Sequence, residues 1–154
     1  MTGTYQQCLT ALAPHNLGTA LERIETQCNW FIDAYGADGV SQQISQLRVS
    51  FSSAGHGADE HVFLTPLGEI KVRFVKRLED PYLGVAAVFS HKNQKSEDEK
   101  FFVVYMNHQS PWKDSTGHQF STEFSNDMPK LFEAAKLIQR VMAALLQKLD
   151  KAVS

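Results

Sequence analysis

EIKVRFVKRLEDPYLGVAAVFSH, residues Glu69 to His91, decides how this chain is read. In its first part apolar and charged side chains alternate: Ile70, Val72 and Phe74 fall on one phase, Lys71, Arg73 and Val75 on the other. A period of two belongs to a β-strand, whose successive side chains point to opposite faces of a sheet. Glu79-Asp-Pro81 breaks the pattern as a turn. Tyr82 to His91 then continues with apolar residues on both phases, Leu83, Val85, Ala87 and Phe89 against Ala86 and Val88. Extended segments joined by so short a turn pair antiparallel.

Working outward, the same period predicts strands over residues 44–52, where Leu47, Val49 and Phe51 alternate with Arg48 and Ser50, and over 60–65, 69–78, 82–91 and 100–108. Thr65-Pro-Leu-Gly68 reads as a tight turn. The flanks change period. Leu17, Leu21, Ile24, Cys28, Phe31 and Tyr35 recur at three- and four-residue spacing, modestly widened by Ala20 and Ile32, and predict a helix over 17–35 that Gly36 ends. A shorter helix is expected over 4–13, stopped by Pro14.

At the far end Asp127 caps a helix over 128–150, and Pro129 suits its first turn. Its apolar stripe, Leu131, Ala135, Ile138, Met142, Leu145 and Leu149, is broadened by Leu137, Val141, Ala144 and Leu146. The total is roughly 200° of arc, against the roughly 100° that one packing face needs. This helix is therefore expected to touch two neighbours: the sheet, plus either the 17–35 helix or a second chain. Residues 109–126 lack periodicity and read as a long loop, with an extra strand possible near His118 to Phe124. The expectation is a single α+β domain: N-terminal helices, a five-stranded antiparallel β-meander and a long C-terminal helix packed on the sheet.

Composition narrows the function classes. The chain has 154 residues, 43% hydrophobic and 21% charged, enough to bury a core without metals or disulfides. No apolar run is long enough to span a bilayer, so no membrane insertion is expected. Cys8 and Cys28 form no disulfide framework, and with no secretory leader in view a cytoplasmic, soluble protein is expected. Fifteen basic against 17 acidic residues give a net charge of −2, which argues against a dedicated double-stranded DNA binder.

The familiar catalytic and nucleotide-binding motifs are missing, as is any Cys-x-x-Cys pair, and no cofactor is expected. His56 and His61, with Asp59 and Glu60, carry the right ligand types for a divalent metal but no established ligand spacing. His108, Asp114 and His118, with Trp112 among them, share one loop and could in principle support acid–base chemistry, since an imidazole oriented by a carboxylate is what that chemistry needs. For both groups, solvated loop polarity is the ordinary explanation.

Three features point to binding instead. Trp30 lies off the apolar stripe of its helix, on the flank of Arg23, where a large aromatic can anchor a partner. Lys71, Arg73 and Arg77 share one phase of a strand, with Arg48 available from the first strand, and Phe101 or Phe102 and Tyr105 could interleave rings with those charges. Trp112 adds an aromatic to the 109–126 loop. With no catalytic motif, a C-terminal helix whose apolar arc is wider than one neighbour can cover, and Trp30 off the core stripe, the leading expectation is a non-enzymatic protein–protein interaction module, such as an adaptor, inhibitor, immunity-type protein or chaperone, with a homodimer through the C-terminal helix as one form. Two alternatives stand beside it: a small-molecule binder or enzyme with a pocket between sheet and C-terminal helix, and a single-stranded nucleic acid binder using the basic sheet face.

Overall fold

The computed structural model describes residues 14–35, 45–55, 57–79, 82–107, 110–114, 119–120 and 128–153. Within them the chain runs α1 (Pro14–Ala34), β1 (Ser50–Ser52), β2 (Glu60–Thr65), β3 (Gly68–Glu79), β4 (Tyr82–Lys92), β5 (Asp98–Asn107), β6 (Ser110–Asp114), β7 (Gln119–Phe120) and α2 (Met128–Val153). The helix expected over 4–13 lies outside the described residues, as do His56, His108 and His118 and the side chains of Trp30 and Arg77.

All seven strands form one antiparallel sheet in sequence order. The expected meander is present, and two short strands from the stretch read as a loop extend it. Pro111 is why β6 escapes a reading by alternation. Asn107 pairs with Ser110 and Tyr105 with Lys113, so Pro111 and Trp112 together face Met106 at an irregularity in the ladder. Proline is tolerated inside a sheet at such a bulge, where no ladder bond is asked of it.

The first strand is shorter than its alternation suggests. Ser45 to Arg48 forms a helical turn closed by the Arg48 amide donating to the Ser45 carbonyl (2.9 Å). Arg48 leaves that turn in the left-handed region (φ 60°), so β1 begins only at Ser50 and Arg48 is not part of the sheet face. The β2–β3 turn is tighter. Gly68 holds φ 113°, and a Cβ there would sit 3.0 Å from His91 Nε2, so both backbone and space require glycine.

Register sorts the side chains by face. Val72 lies opposite Phe89 and Phe74 opposite Ala87, while Ala87 lies opposite Val104 and Val85 opposite Met106; all are buried. Both described helices pack on this face. Phe31 of α1 is the hub, its ring 5.4 Å from those of Phe74 and Trp112 and 5.1 Å from Tyr35. Such edge-on and tilted aromatic pairs add to plain area burial. The buried face of α1 is rotated from the expected stripe: Ala20 and Ile32 are buried, whereas Leu21 is 40% exposed.

The α2 helix lies along β5 and reaches β7. Ala135, Leu137, Ile138, Val141 and Leu145 are buried, and Met142, Ala144 and Leu149 half-buried, so its own chain takes up most of the broad apolar arc. Leu146, 55% exposed, is the large apolar residue of α2 left in solvent among the described residues. Among the described residues, two ion pairs hold the helix to the sheet. Arg140 Nη1 donates to Asp114 Oδ2 on β6 (3.2 Å), and Lys148 Nζ lies 3.5 Å from Glu99 Oε1 on β5.

Candidate functional site

No described element covers the other face of the sheet, and its side chains stand in cross-strand rows. Lys71, Ser90 and Lys100 form one row; Arg73, Val88 and Val103 the next; Val75, Ala86 and Tyr105 the third, continued by Lys113. In every row the middle residue, from β4, is smaller than at least one neighbour and no larger than either. Strands lie about 4.8 Å apart, so the β3 and β5 walls stand about 10 Å apart across this floor. The result is a furrow running along β4. At the row of Val75, Ala86 and Tyr105 the furrow is shallow, Ala86 being only 3% exposed.

The furrow is not uniform along its length. Toward Ala86 it is apolar, with Val75 exposed and Val88, Val103 and Tyr105 half-buried. Toward Ser90 it opens into a cleft of about 260 Å³ whose walls carry Lys71, Arg73 and Lys100. Lys71 Nζ donates to Asp98 Oδ2 at 3.2 Å, and that bond, with the charge behind it, raises the lysine's pKa above its ordinary value. Arg73 and Lys100 have no hydrogen bond or ion pair with any described residue. By register the face carries five described cations (Lys71, Arg73, Lys92, Lys100, Lys113) against three carboxylates (Glu60, Glu69, Asp98), an excess of +2 on a chain whose net charge is −2.

Two of the expected site residues, Lys71 and Arg73, therefore stand together on this face. Arg77 shares their phase through its pairing with Gly84, though its side chain is not described. Phe101 and Phe102 do not join them. The β4–β5 ladder slips between Phe89 and Ser90, so that Phe101 is the extra residue of a bulge and both rings pack toward the helices. Sequence reasoning missed Ser90 and Lys100, because their alignment depends on that slip; the doubled phenylalanine inside an alternating strand was the available signal. Arg23 is exposed on α1, away from the furrow.

The candidate metal and acid–base groups are engaged otherwise. His61 is 1% exposed between the rings of Phe51 and Phe74. Its Nδ1 accepts from the Ala54 amide (3.1 Å), which places the proton on Nε2, and Nε2 donates to the Ala58 carbonyl (3.1 Å). Both ring nitrogens are used, while Asp59 and Glu60 are exposed; no group of metal-ligating residues occurs among the described residues. Asp114 is buried beside Arg140, and Trp112 is fully buried, its indole N–H without a hydrogen-bond partner among the described residues. Burial pushes the Cys28 thiol from 9.0 up to about 12, only partly offset by Lys76, so it remains a protonated and unreactive side chain at neutral pH.

A wider groove of about 1020 Å³, open to solvent, lies between the β4–β5 hairpin and the last turns of α2. Lys148 bridges its wall, donating to the His91 carbonyl (3.4 Å) with its ammonium 6.0 Å from the Phe101 ring centroid. No helix among the described residues is long and apolar enough to cross a membrane. Comparison with models of protein families, with curated proteins and with solved structures returned no match.

Proposed function

We propose that this chain is a non-enzymatic protein-binding module whose partner packs on the outer face of the sheet. One observation carries the reading: β4 and the middle of β5 carry apolar residues on both phases, and β3 adds Val75 to the outer one, yet the described helices cover only one face. An antiparallel sheet with a merely solvated face alternates apolar and polar residues. Here Val75, Val88, Val103 and Tyr105 occupy positions that water alone would fill with polar side chains, and Leu64 beyond them is 51% exposed. Contiguous exposed apolar surface rimmed by polar residues marks an interaction site. The rim here is cationic, which favours a partner of negative charge.

A protein partner fits better than single-stranded nucleic acid. Base stacking needs several ring platforms, and Phe101 and Phe102 are turned inward; Tyr105 is the ring left on this face among the side chains described, with Tyr82 on the same phase by its register opposite Glu79. Catalysis has little support, because His61 and Asp114 are held in structural contacts. The free, protonated Cys28 thiol is compatible with a cytoplasmic location.

A photo-crosslinking residue at position 103, introduced in the native cell, tests the reading. The expected result is a discrete adduct with one protein, whose purified form binds the chain and does so at least about tenfold more weakly to Val103→Glu, a desolvated charge costing well over 1.4 kcal/mol. Leu146→Glu, on the far side of the molecule, should bind like the wild type. A partner that tolerates Val103→Glu and is lost with Leu146→Glu would move the interface to α2 and overturn the proposal.

A further inference from the structure

The furrow along β4 has an apolar end and a cationic end, and the distance between them is set by the strand itself. Ala86 and Ser90 are four residues apart, about 14 Å at the rise of an antiparallel strand. An extended peptide has the same rise. A side chain resting on Val75 and Tyr105 above Ala86 is therefore followed about four residues later by one seated over Ser90, between Lys71 and Lys100. Resting on the outer face as the docking surface, we infer that the furrow receives an extended segment of the partner protein with an apolar anchor at one end and acidic side chains at the other.

The charges of the cleft select the acidic group. Lys71 is already committed to Asp98, which leaves Arg73 and Lys100 as its unpaired cations. Arg73 offers a planar fork that takes a carboxylate through two parallel hydrogen bonds, and the Ser90 hydroxyl can donate a further one from the floor. Glu60 and Asp98 also line the cleft. Their negative charge tolerates a monoanionic carboxylate facing two cations but opposes a doubly charged phosphate. Walls of valine and a single tyrosine suit an aliphatic anchor, not a run of bases.

The test uses the full chain and three labelled probes: the peptide Leu-Ser-Leu-Ser-Glu-Glu-Glu, its glutamine counterpart Leu-Ser-Leu-Ser-Gln-Gln-Gln, and oligodeoxythymidylate. Fluorescence anisotropy at low salt should show saturable binding of the glutamate peptide alone, with amide shifts confined to Ala86, Val88, Ser90 and their cross-strand neighbours. Arg73→Gln with Lys100→Gln, both exposed and therefore without effect on folding, should weaken it at least about tenfold. Oligodeoxythymidylate binding in place of the peptide, equal binding of the glutamine counterpart, or shifts away from β4 would each overturn the inference. Should the crosslinked partner be lost with Val103→Glu yet bind Arg73→Gln/Lys100→Gln like the wild type, the docking surface stands and the acidic segment fails. If neither variant affects the partner, both readings fail together.

Discussion

At position 61 an imidazole fills a site where alternation calls for an apolar side chain, in phase with Phe63 and opposite Val72. It earns that place by being two things together: a ring that packs between Phe51 and Phe74, and a pair of nitrogens that close the 53–58 loop through the Ala54 amide and the Ala58 carbonyl. The two contributions separate experimentally. His61→Phe keeps a ring of similar size and removes both hydrogen bonds, leaving a donor and an acceptor to find water or go unpaired. The expected loss is about 1–3 kcal/mol in urea unfolding, together with faster hydrogen exchange at the Ala54 amide. Wild-type stability in His61→Phe would mean that the ring alone matters and that the loop is held by other contacts.

Helix α2 shows what a periodic sequence does and does not reveal. Its position and approximate ends follow from three- and four-residue spacing and from Asp127 and Pro129, but that spacing cannot say how much of a wide stripe the sheet will cover. Leu145 and Leu146 are neighbours in sequence and both belong to the predicted stripe, yet one is fully buried and the other largely in solvent. Leu145→Ala should therefore cost about 2–5 kcal/mol and Leu146→Ala less than about 0.5 kcal/mol, read as the difference in unfolding midpoints. Equal effects would show that Leu146 is covered in solution. The same limit applies across the fold. The central strands were legible because Ile70, Val72 and Phe74 alternate cleanly with Lys71 and Arg73. β1 was overread because Leu47 and Val49 keep strand phase through a helical turn, and β6 was passed over because Pro111 sits at its bulge. Of the candidate site, the phase of Lys71 and Arg73 could be read from the chain. Its other wall could not, since a single inserted residue at Phe101 decides which side chains of β5 stand beside Ser90.

On the scale of the whole molecule, surface charge and apolar exposure pull in different directions. The chain is net negative, while the sheet face that no described element covers carries an excess of cations around an apolar centre. Two copies stacked through that face would bring like charges together at close range, and at low ionic strength the repulsion reaches well beyond contact, the screening length being about 30 Å at 0.01 M salt against about 8 Å at physiological strength. Among the described residues the other routes to self-association are narrow. β1 and β7 offer three and two residues at the sheet edges, too little backbone to template pairing, and α2 offers Leu146 as its large exposed apolar side chain among the described residues. Sedimentation equilibrium at low salt should accordingly return the monomer mass of 17.3 kDa. Raising salt to physiological strength should leave that mass unchanged, because screening removes the repulsion without supplying the complementary charges that Arg73 and Lys100 lack. A dimer at low salt, abolished by Leu146→Glu, would place self-association on α2. A dimer that forms only as salt rises, and is abolished by Val103→Glu, would show that the apolar centre of the furrow suffices to hold a second copy. The second dimer, unlike the first, would contradict a face that waits for an acidic protein of another kind.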